Sequence, residues 1–283
     1  MFEINESSEA LVSKIMIPAR PESLLSVSAE ANNEYPNVNI IAKAISNDVS
    51  LSAAVLQIVN SPAFAIRHKI TNILQAVTLL GVSRVERIVT VVAMRESVGG
   101  NLNLARFWDS ASEIANICSQ LAPRLSGINQ DDAYTLGLFH DCGIPLMMQA
   151  FDDYKQTLIE INKTEVRPTT KIEQARYQVC HTQVGYLLLE KWFLPQHISQ
   201  AVYCHHHNYA DLVEQKKIDD SSLSLLALLK MSDDISSTYR KSWRRDDTDE
   251  WLQVQDLVLS YIGIDEAYYN ELKADIIEKF DMQ

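Results

Sequence analysis

Apolar side chains recur at helical spacing along nearly the whole chain, and that period restricts the fold more than any other property of the sequence. Leu51, Ala54, Val55, Ile58 and Val59 fall at i, i+3, i+4, i+7 and i+8, which lays one stripe along the core-facing side of a helix. Ile73, Ala76, Val77 and Leu80 form a second stripe that stops at Gly81, a residue suited to ending a helix. Val85, Ile88, Val89 and Val92 begin a third, with Ser83 in its N-cap region. Only eight glycines and eight prolines punctuate 283 residues. The spacing therefore predicts an all-α protein.

The polar run ESVGGNLN, residues 96–103, holds the one double glycine of the chain and marks an internal boundary. Beyond it Ile114, Ile117, Cys118 and Leu121 resume the helical period. The expected organisation is a smaller helical lobe over residues 1–100 and a helical bundle over residues 101–283, with separate cores or one shared core. The stretch SWRRDDTDE, residues 242–250, reads as a charged surface excursion before a last helix containing Leu252, Leu257 and Ile262. Trp243 and Trp251 beside it suit either a protein contact or packing of that helix.

A formal charge of -12 argues against general nucleic-acid binding, which needs a basic face to neutralise phosphates. No apolar run approaches the roughly 18 residues needed to span a bilayer. The four cysteines show no CxxC spacing and the N-terminus carries no cationic and apolar leader, so the expected compartment is the reducing cytoplasm. Cys142, Cys180 and Cys204 each adjoin a histidine or aspartate of interest. Small buried core residues are the simpler reading, thiolate ligation the alternative.

His140 and Asp141, in the run GLFHDCGIPLMM, stand among residues that otherwise belong to a core. Burying such groups without a metal or a hydrogen-bond partner costs several kcal/mol, so companions are required. Helical faces supply them. His140 extends the stripe Ala133, Leu136, Gly137, and His181 begins one continued by Val184, Gly185 and Leu188. After the helix-stopping Leu194-Pro195, His205 extends Ile198, Ala201, Val202; Asp233 extends Leu226 and Leu229. His206 lies about 100° from His205 on a helix, so one of the pair would ligate while the other faces the pocket mouth. His68 and His197 show no partner pattern, and His207 reads as solvent-facing or at the helix end. Converging imidazoles and carboxylates suit a mononuclear or dinuclear metal site that activates water against a phosphoester, or an inactive descendant of one.

Ordered motifs run along most of the chain: MIPARPESLLSV, SNDVSLSAAVLQIVNSPAFA with its Asn60-Ser61-Pro62, and ILQAVTLLGVSRVERIV, then RFWDSASEIA, GLFHDCGIPLMM, EQARYQVCHTQVGYLLLEKWFLPQHISQAVYCHHHN and LLKMSDDIS. With them the chain resembles, over roughly residues 15–240, the HDOD family, a branch of the HD metal-dependent phosphohydrolase superfamily common in bacterial signalling proteins. The resemblance implies an HD-like helical bundle preceded by a helical N-terminal lobe, serving in signal transduction or regulation. By motif, His140 and Asp141 match the HD pair, His181 the histidine before the VG step, His205 and His206 the double histidine, and Asp233 the closing aspartate, with Asp234 its near neighbour. Asn60-Ser61-Pro62 reads best as a turn that ends one helix.

Two departures stand out. Ser110 occupies the place of a further histidine ligand of catalytic HD enzymes, and Ile144-Pro145 the place of a lysine of the cyclic-dinucleotide phosphodiesterases. A hydroxyl is a poor substitute for imidazole, and the cation that would stabilise developing phosphate charge is missing. The leading expectation is a regulatory HDOD module with a retained metal or ligand pocket, His140, Asp141, His181, His205, His206 and Asp233, and weak or no hydrolase activity. Its metal would be iron or manganese, ahead of magnesium, zinc or nickel. Its partner would be a signalling protein or a small phosphorylated ligand. A phosphohydrolase acting on a nucleotide or cyclic dinucleotide, and a structural adapter with a buried polar network, are the alternatives.

Overall fold

The computed structural model describes residues 15–60, 69–98, 102–161, 169–240 and 245–281, apart from the side chains of Ser50 and of 245–250. Ser61, Pro62, His68, Gly99, Gly100, Asn101 and Trp243, singled out above, lie outside the described residues. Among the described residues all regular structure is helical. Two compact units emerge, Pro18–Gly100 and, with the segment ending at Ile17, Asn101–Gln283.

The unit Pro18–Gly100 contains α1 (Glu22–Ala31), α2 (Val38–Ser46), α3 (Val49–Val59), α4 (Ile73–Leu80) and α5 (Val82–Ser97). Short polar side chains start three of them. Asn37, Asp48 and Asn72 each accept a hydrogen bond from a backbone N–H of the first turn, at 3.0, 3.0 and 2.8 Å. Of the expected stripes, Leu51, Val55, Val59, Ile73, Ala76, Val77, Val85, Ile88, Val89 and Val92 are buried. Gly81, at φ 82°, separates α4 from α5 and itself occupies the N-cap position, so Ser83 lies inside the first turn. The Asn60 amide ends α3. It accepts from Ile70 N–H at 2.8 Å and donates to Ile70 and Leu56 carbonyls at 2.9 and 2.7 Å.

The larger unit contains α6 (Ala105–Leu121), a 3-10 turn at Ala122–Arg124, α7 (Gln130–Phe139), α8 (Gly143–Ala150), α9 (Tyr154–Ile161), α10 (Thr169–Tyr177), α11 (His181–Lys191), α12 (Gln196–Cys204), α13 (Tyr209–Gln215), α14 (Asp220–Tyr239), α15 (Arg245–Ile262) and α16 (Glu266–Asp281). α14 is the central helix, in contact with α6, α7, α12, α15 and α16. Nearly every residue from Ser222 to Ser232 is buried, as a helix surrounded by others requires. α6 and α7 form an antiparallel hairpin, and α11 packs on both α8 and α12.

The expected excursion at residues 242–250 is overtaken by α15, which already begins at Arg245. Leu252 is exposed, whereas Trp251, Val258 and Leu259 are buried among the described side chains of this helix. Trp251 packs against Tyr269 of α16 in a tilted ring contact with centroids 4.9 Å apart, so it holds the C-terminal helices together.

Asp234 is buried on the α16 side of α14, where it receives hydrogen bonds from the Tyr269 hydroxyl and from Lys273 Nζ at 2.6 Å. The ion pair is mostly shielded, its carboxylate 4% exposed. Lys273→Met strands that charge and is expected to cost about 2 kcal/mol, less than the full penalty of a deeply buried pair because the lysine is partly solvated. Urea unfolding of the two proteins measures it.

Candidate metal centre

The HD pair lies in the short turn between α7 and α8. Asn129 caps α7 by accepting from Asp131 and Asp132 N–H, and the helix runs to Phe139, so His140 is its C-cap residue rather than part of its face. Two turn hydrogen bonds, Cys142 N–H to the Phe139 carbonyl at 3.0 Å and Ile144 N–H to the Asp141 carbonyl at 2.9 Å, fold Asp141 back over the core. α8 then begins at Gly143, whose Cα abuts the start of α11. A Cβ at this position would collide with the His181 carbonyl oxygen and lie 2.8 Å from its carbon. The absence of a side chain at Gly143 is what brings Asp141 and His181 together.

His181 is the first residue of α11 and His205 the C-cap of α12; both are buried. Their Nε2 atoms lie 3.4 Å apart, and each is 3.3 Å from Asp141 Oδ1. The second oxygen of Asp141 faces His140 Nε2 at 3.5 Å. His206, half-buried, completes a group in which ligand atoms of Asp141, His181, His205 and His206 all lie within 4.8 Å of one another. Adjacent histidines both reach the centre because the helix has ended, releasing them from the 100° offset that helical geometry imposes.

In His140, His181 and His205 the second ring nitrogen is committed. His140 Nδ1 pairs with the Gly137 carbonyl at 2.8 Å and His205 Nδ1 with the Val202 carbonyl at 2.7 Å. His181 Nδ1 meets both oxygens of Glu173, at 2.9 and 2.8 Å. Carbonyls and carboxylates only accept, so Nδ1 carries the proton in each ring and a neutral ring presents its Nε2 lone pair inward. Two lone pairs 3.4 Å apart repel unless a proton or a cation lies between them. The triangle of two Nε2 atoms and Asp141 Oδ1, with edges of 3.3, 3.3 and 3.4 Å, matches the roughly 3.0–3.5 Å between ligands bonded to one ion at about 2.1 Å. The donor set therefore fits a divalent transition metal.

Burial disfavours a charged ring throughout the cluster. Around His181 the carboxylates of Glu173 and Asp141 outweigh burial and raise it to about 10; Asp141 does the same for His140, raised to about 9. His205 is pushed down to about 4 by burial, with the neighbouring histidines adding to the effect. Burial and His205 hold His206 well below its ordinary value, and the buried Lys230 of α14 adds to this. Although burial opposes it, the surrounding histidines hold Asp141 well below the usual carboxylate range. A proton on His181 and a central metal ion are thus alternative ways of satisfying the same nitrogens.

Of the six residues expected from sequence, four converge. His140 stands at the edge of the group, against the far oxygen of Asp141. Asp233 is half-buried on α14 and outside the group, although its charge helps to raise His140. Its neighbour Asp234 faces α16 instead. Ser110 accepts from Arg240 Nη1 at 3.0 Å, and the same guanidinium pairs with Glu113 at 2.8 to 3.0 Å, so an ion pair across α6 and α14 engages the hydroxyl. His197, without a partner in the sequence reading, pairs with Asp132 at 3.0 Å; His207 is exposed. Cys142, Cys180 and Cys204 are buried free thiols outside the ligand group among the described residues. Sequence reasoning missed Glu173, which is fully buried and also receives the Tyr154 hydroxyl. Its signal was Tyr177 four residues on, an apolar partner on the same helical face.

The family model of the HDOD domain matches residues 17–208. The chain belongs to the HDOD family. An uncharacterised protein of Treponema pallidum (strain Nichols) is 25% identical to this HDOD chain over 194 residues, 68% of the chain and 38% of the relative, so the chain spans well under half of that protein. Among solved structures, a proposed phosphohydrolase from Shewanella amazonensis SB2B matches with TM-score 0.71 and 22% identity, covering 95% of this chain and 93% of the other. A proposed signal transduction protein from Marinobacter aquaeolei VT8 matches with TM-score 0.68 and 17% identity, covering 96% of this chain and 62% of the other. These likenesses show a shared HDOD fold. Among the described residues no helix is long and apolar enough to cross a membrane.

Proposed function

We propose that this chain is a regulatory HDOD module of the bacterial cytoplasm whose pocket at Asp141, His181, His205 and His206 holds one divalent transition metal, with little or no phosphohydrolase activity. In this reading residues 1–100 form its N-terminal lobe and 101–283 its HD-like bundle. The observation that carries the metal is the nearly equilateral triangle of Asp141 Oδ1 and two Nε2 atoms whose rings are protonated on the opposite nitrogen. Iron or manganese is the proposed resident ion ahead of magnesium, zinc or nickel, through metal supply rather than raw affinity, since imidazole with carboxylate binds zinc and nickel at least as tightly. When bound, such an ion supplies Lewis acidity and acidifies water. His181 and His205 orient the pocket, Asp141 provides its negative charge, and His140 holds a proton beside the outer oxygen of Asp141.

Low turnover follows from what surrounds the pocket. Ser110 hydrogen-bonds Arg240 where a further imidazole would be expected, and Ile144-Pro145 offers no cation toward a developing phosphate charge. A signalling protein or a small phosphorylated ligand is the proposed partner; the charge of -12 disfavours nucleic acid in general.

Hydrolysis of a nucleotide or cyclic dinucleotide is the second reading, favoured by retention of the convergent imidazoles and carboxylate. Assays of protein reconstituted with manganese or ferrous iron against phosphomonoesters, nucleotides and cyclic dinucleotides separate the two. The regulatory reading expects less than about one turnover per minute on every substrate, far below the 1–1000 per second of ordinary enzymes. Turnover at an ordinary rate, lost in His205→Ala, would establish the hydrolase instead.

A further inference from the structure

Glu173 is a fully buried carboxylate with several hydrogen-bond partners. Its side chain is 0% exposed, and its two oxygens receive His181 Nδ1, the His181 backbone N–H at 3.0 Å and the Tyr154 hydroxyl. A carboxylate of this kind is retained only where every lone pair has work to do, since an unpaired buried charge is strongly destabilising. Its position is also particular. His181 opens α11, so Glu173 meets an orphan N–H and the positive end of that helix while gripping the ring of the same residue.

The grip is braced from behind. Tyr154 comes from α9 and Glu173 from α10, and their seam is closed by Thr157 with Tyr177 at 2.6 Å, Tyr177 with Asp153 at 3.1 Å, and Arg176 with Thr157 at 2.8 Å. No oxygen of Glu173 is directed at the centre, because both are spent on His181 and Tyr154. We infer that Tyr154 and Glu173 form a positioning pair: they hold His181 as the Nδ1–H tautomer, with its Nε2 lone pair aimed at the point between Asp141 and His205, and so set the affinity of the pocket for metal. The inference rests on the metal reading above.

Glu173→Gln tests it by near-isosteric replacement. The amide keeps one acceptor and gains an NH2 group, which favours a bare Nδ1 and moves the ring proton to Nε2, where the metal must bind. With zinc as the probe and chelator competition as the measurement, Glu173→Gln should weaken binding roughly 10- to 100-fold, the range typical of outer partners of a ligating histidine. In zinc-loaded wild-type protein, long-range nitrogen–proton NMR should show His181 protonated at Nδ1 and metallated at Nε2; a purely structural Glu173 would have no hold over that signature. Zinc binding within twofold of wild type in Glu173→Gln, or a His181 ring metallated through Nδ1, overturns the inference. Failure of wild-type protein to bind zinc at all, or binding undiminished by His181→Ala, would instead overturn the metal reading on which it stands. Should Glu173→Gln fail to fold, the wild-type spectrum decides alone.

Discussion

Gly143→Ala is expected to destabilise the protein by about 3 kcal/mol, lowering Tm by roughly 6–12 °C, a loss at the upper end for inserting one methyl group into a packed interior. The size follows from what the new Cβ meets. Its neighbours are the backbone of His181 and Gly185, not the flexible end of a side chain, so relief requires α8 and α11 to separate. Because α8 carries the end of the Asp141 turn and α11 begins at His181, that separation also widens the Asp141 to His181 gap. Metal affinity should therefore fall together with stability. Thermal unfolding and metal titration of the one variant check both, and a Tm within 2 °C of wild type would mean that the two helices yield more easily than their contact implies.

Asp141→Asn is expected to reduce metal affinity more than about 100-fold, beyond the roughly 10- to 100-fold cost of losing an outer partner. Two effects add. The anionic oxygen shared by His181 and His205 Nε2, each 3.3 Å away, gives way to a weaker neutral carbonyl or to an NH2 group that cannot ligate, and the pocket loses the negative charge that makes room for a cation among several imidazoles. The asparagine is close to isosteric, so folding should survive and isothermal titration with manganese can be read directly. Retention of affinity within tenfold would show that the site does not need the carboxylate charge.

The fold was legible because periodic apolar spacing is a local property. The stripes through Leu51, Ile73 and Val85 face the core as their spacing requires, and so does His181 with Val184, Gly185 and Leu188. The centre was legible only in part. His181 and His205 lie on or beside helical faces, and their burial could be read from position. α14 is buried on several sides at once, so its apolar residues define no unique face and could not separate Asp233 from Asp234. The part Glu173 plays depends on how α9, α10 and α11 meet, and a glutamate in the polar stretch TTKIEQARY resembles a solvated residue. The pairing of His197 with Asp132 joins residues 65 positions apart, beyond the reach of any periodicity.

Elemental analysis of the protein purified without added metal tests the central claim most directly. The account predicts close to one iron or manganese ion per chain in the wild-type protein, reduced to background in both His205→Ala and Asp141→Asn. Wild-type protein that is free of transition metal and takes up none from manganese or ferrous solutions would contradict it, leaving Glu173, His181 and Asp141 as a protonated hydrogen-bond network in an adapter.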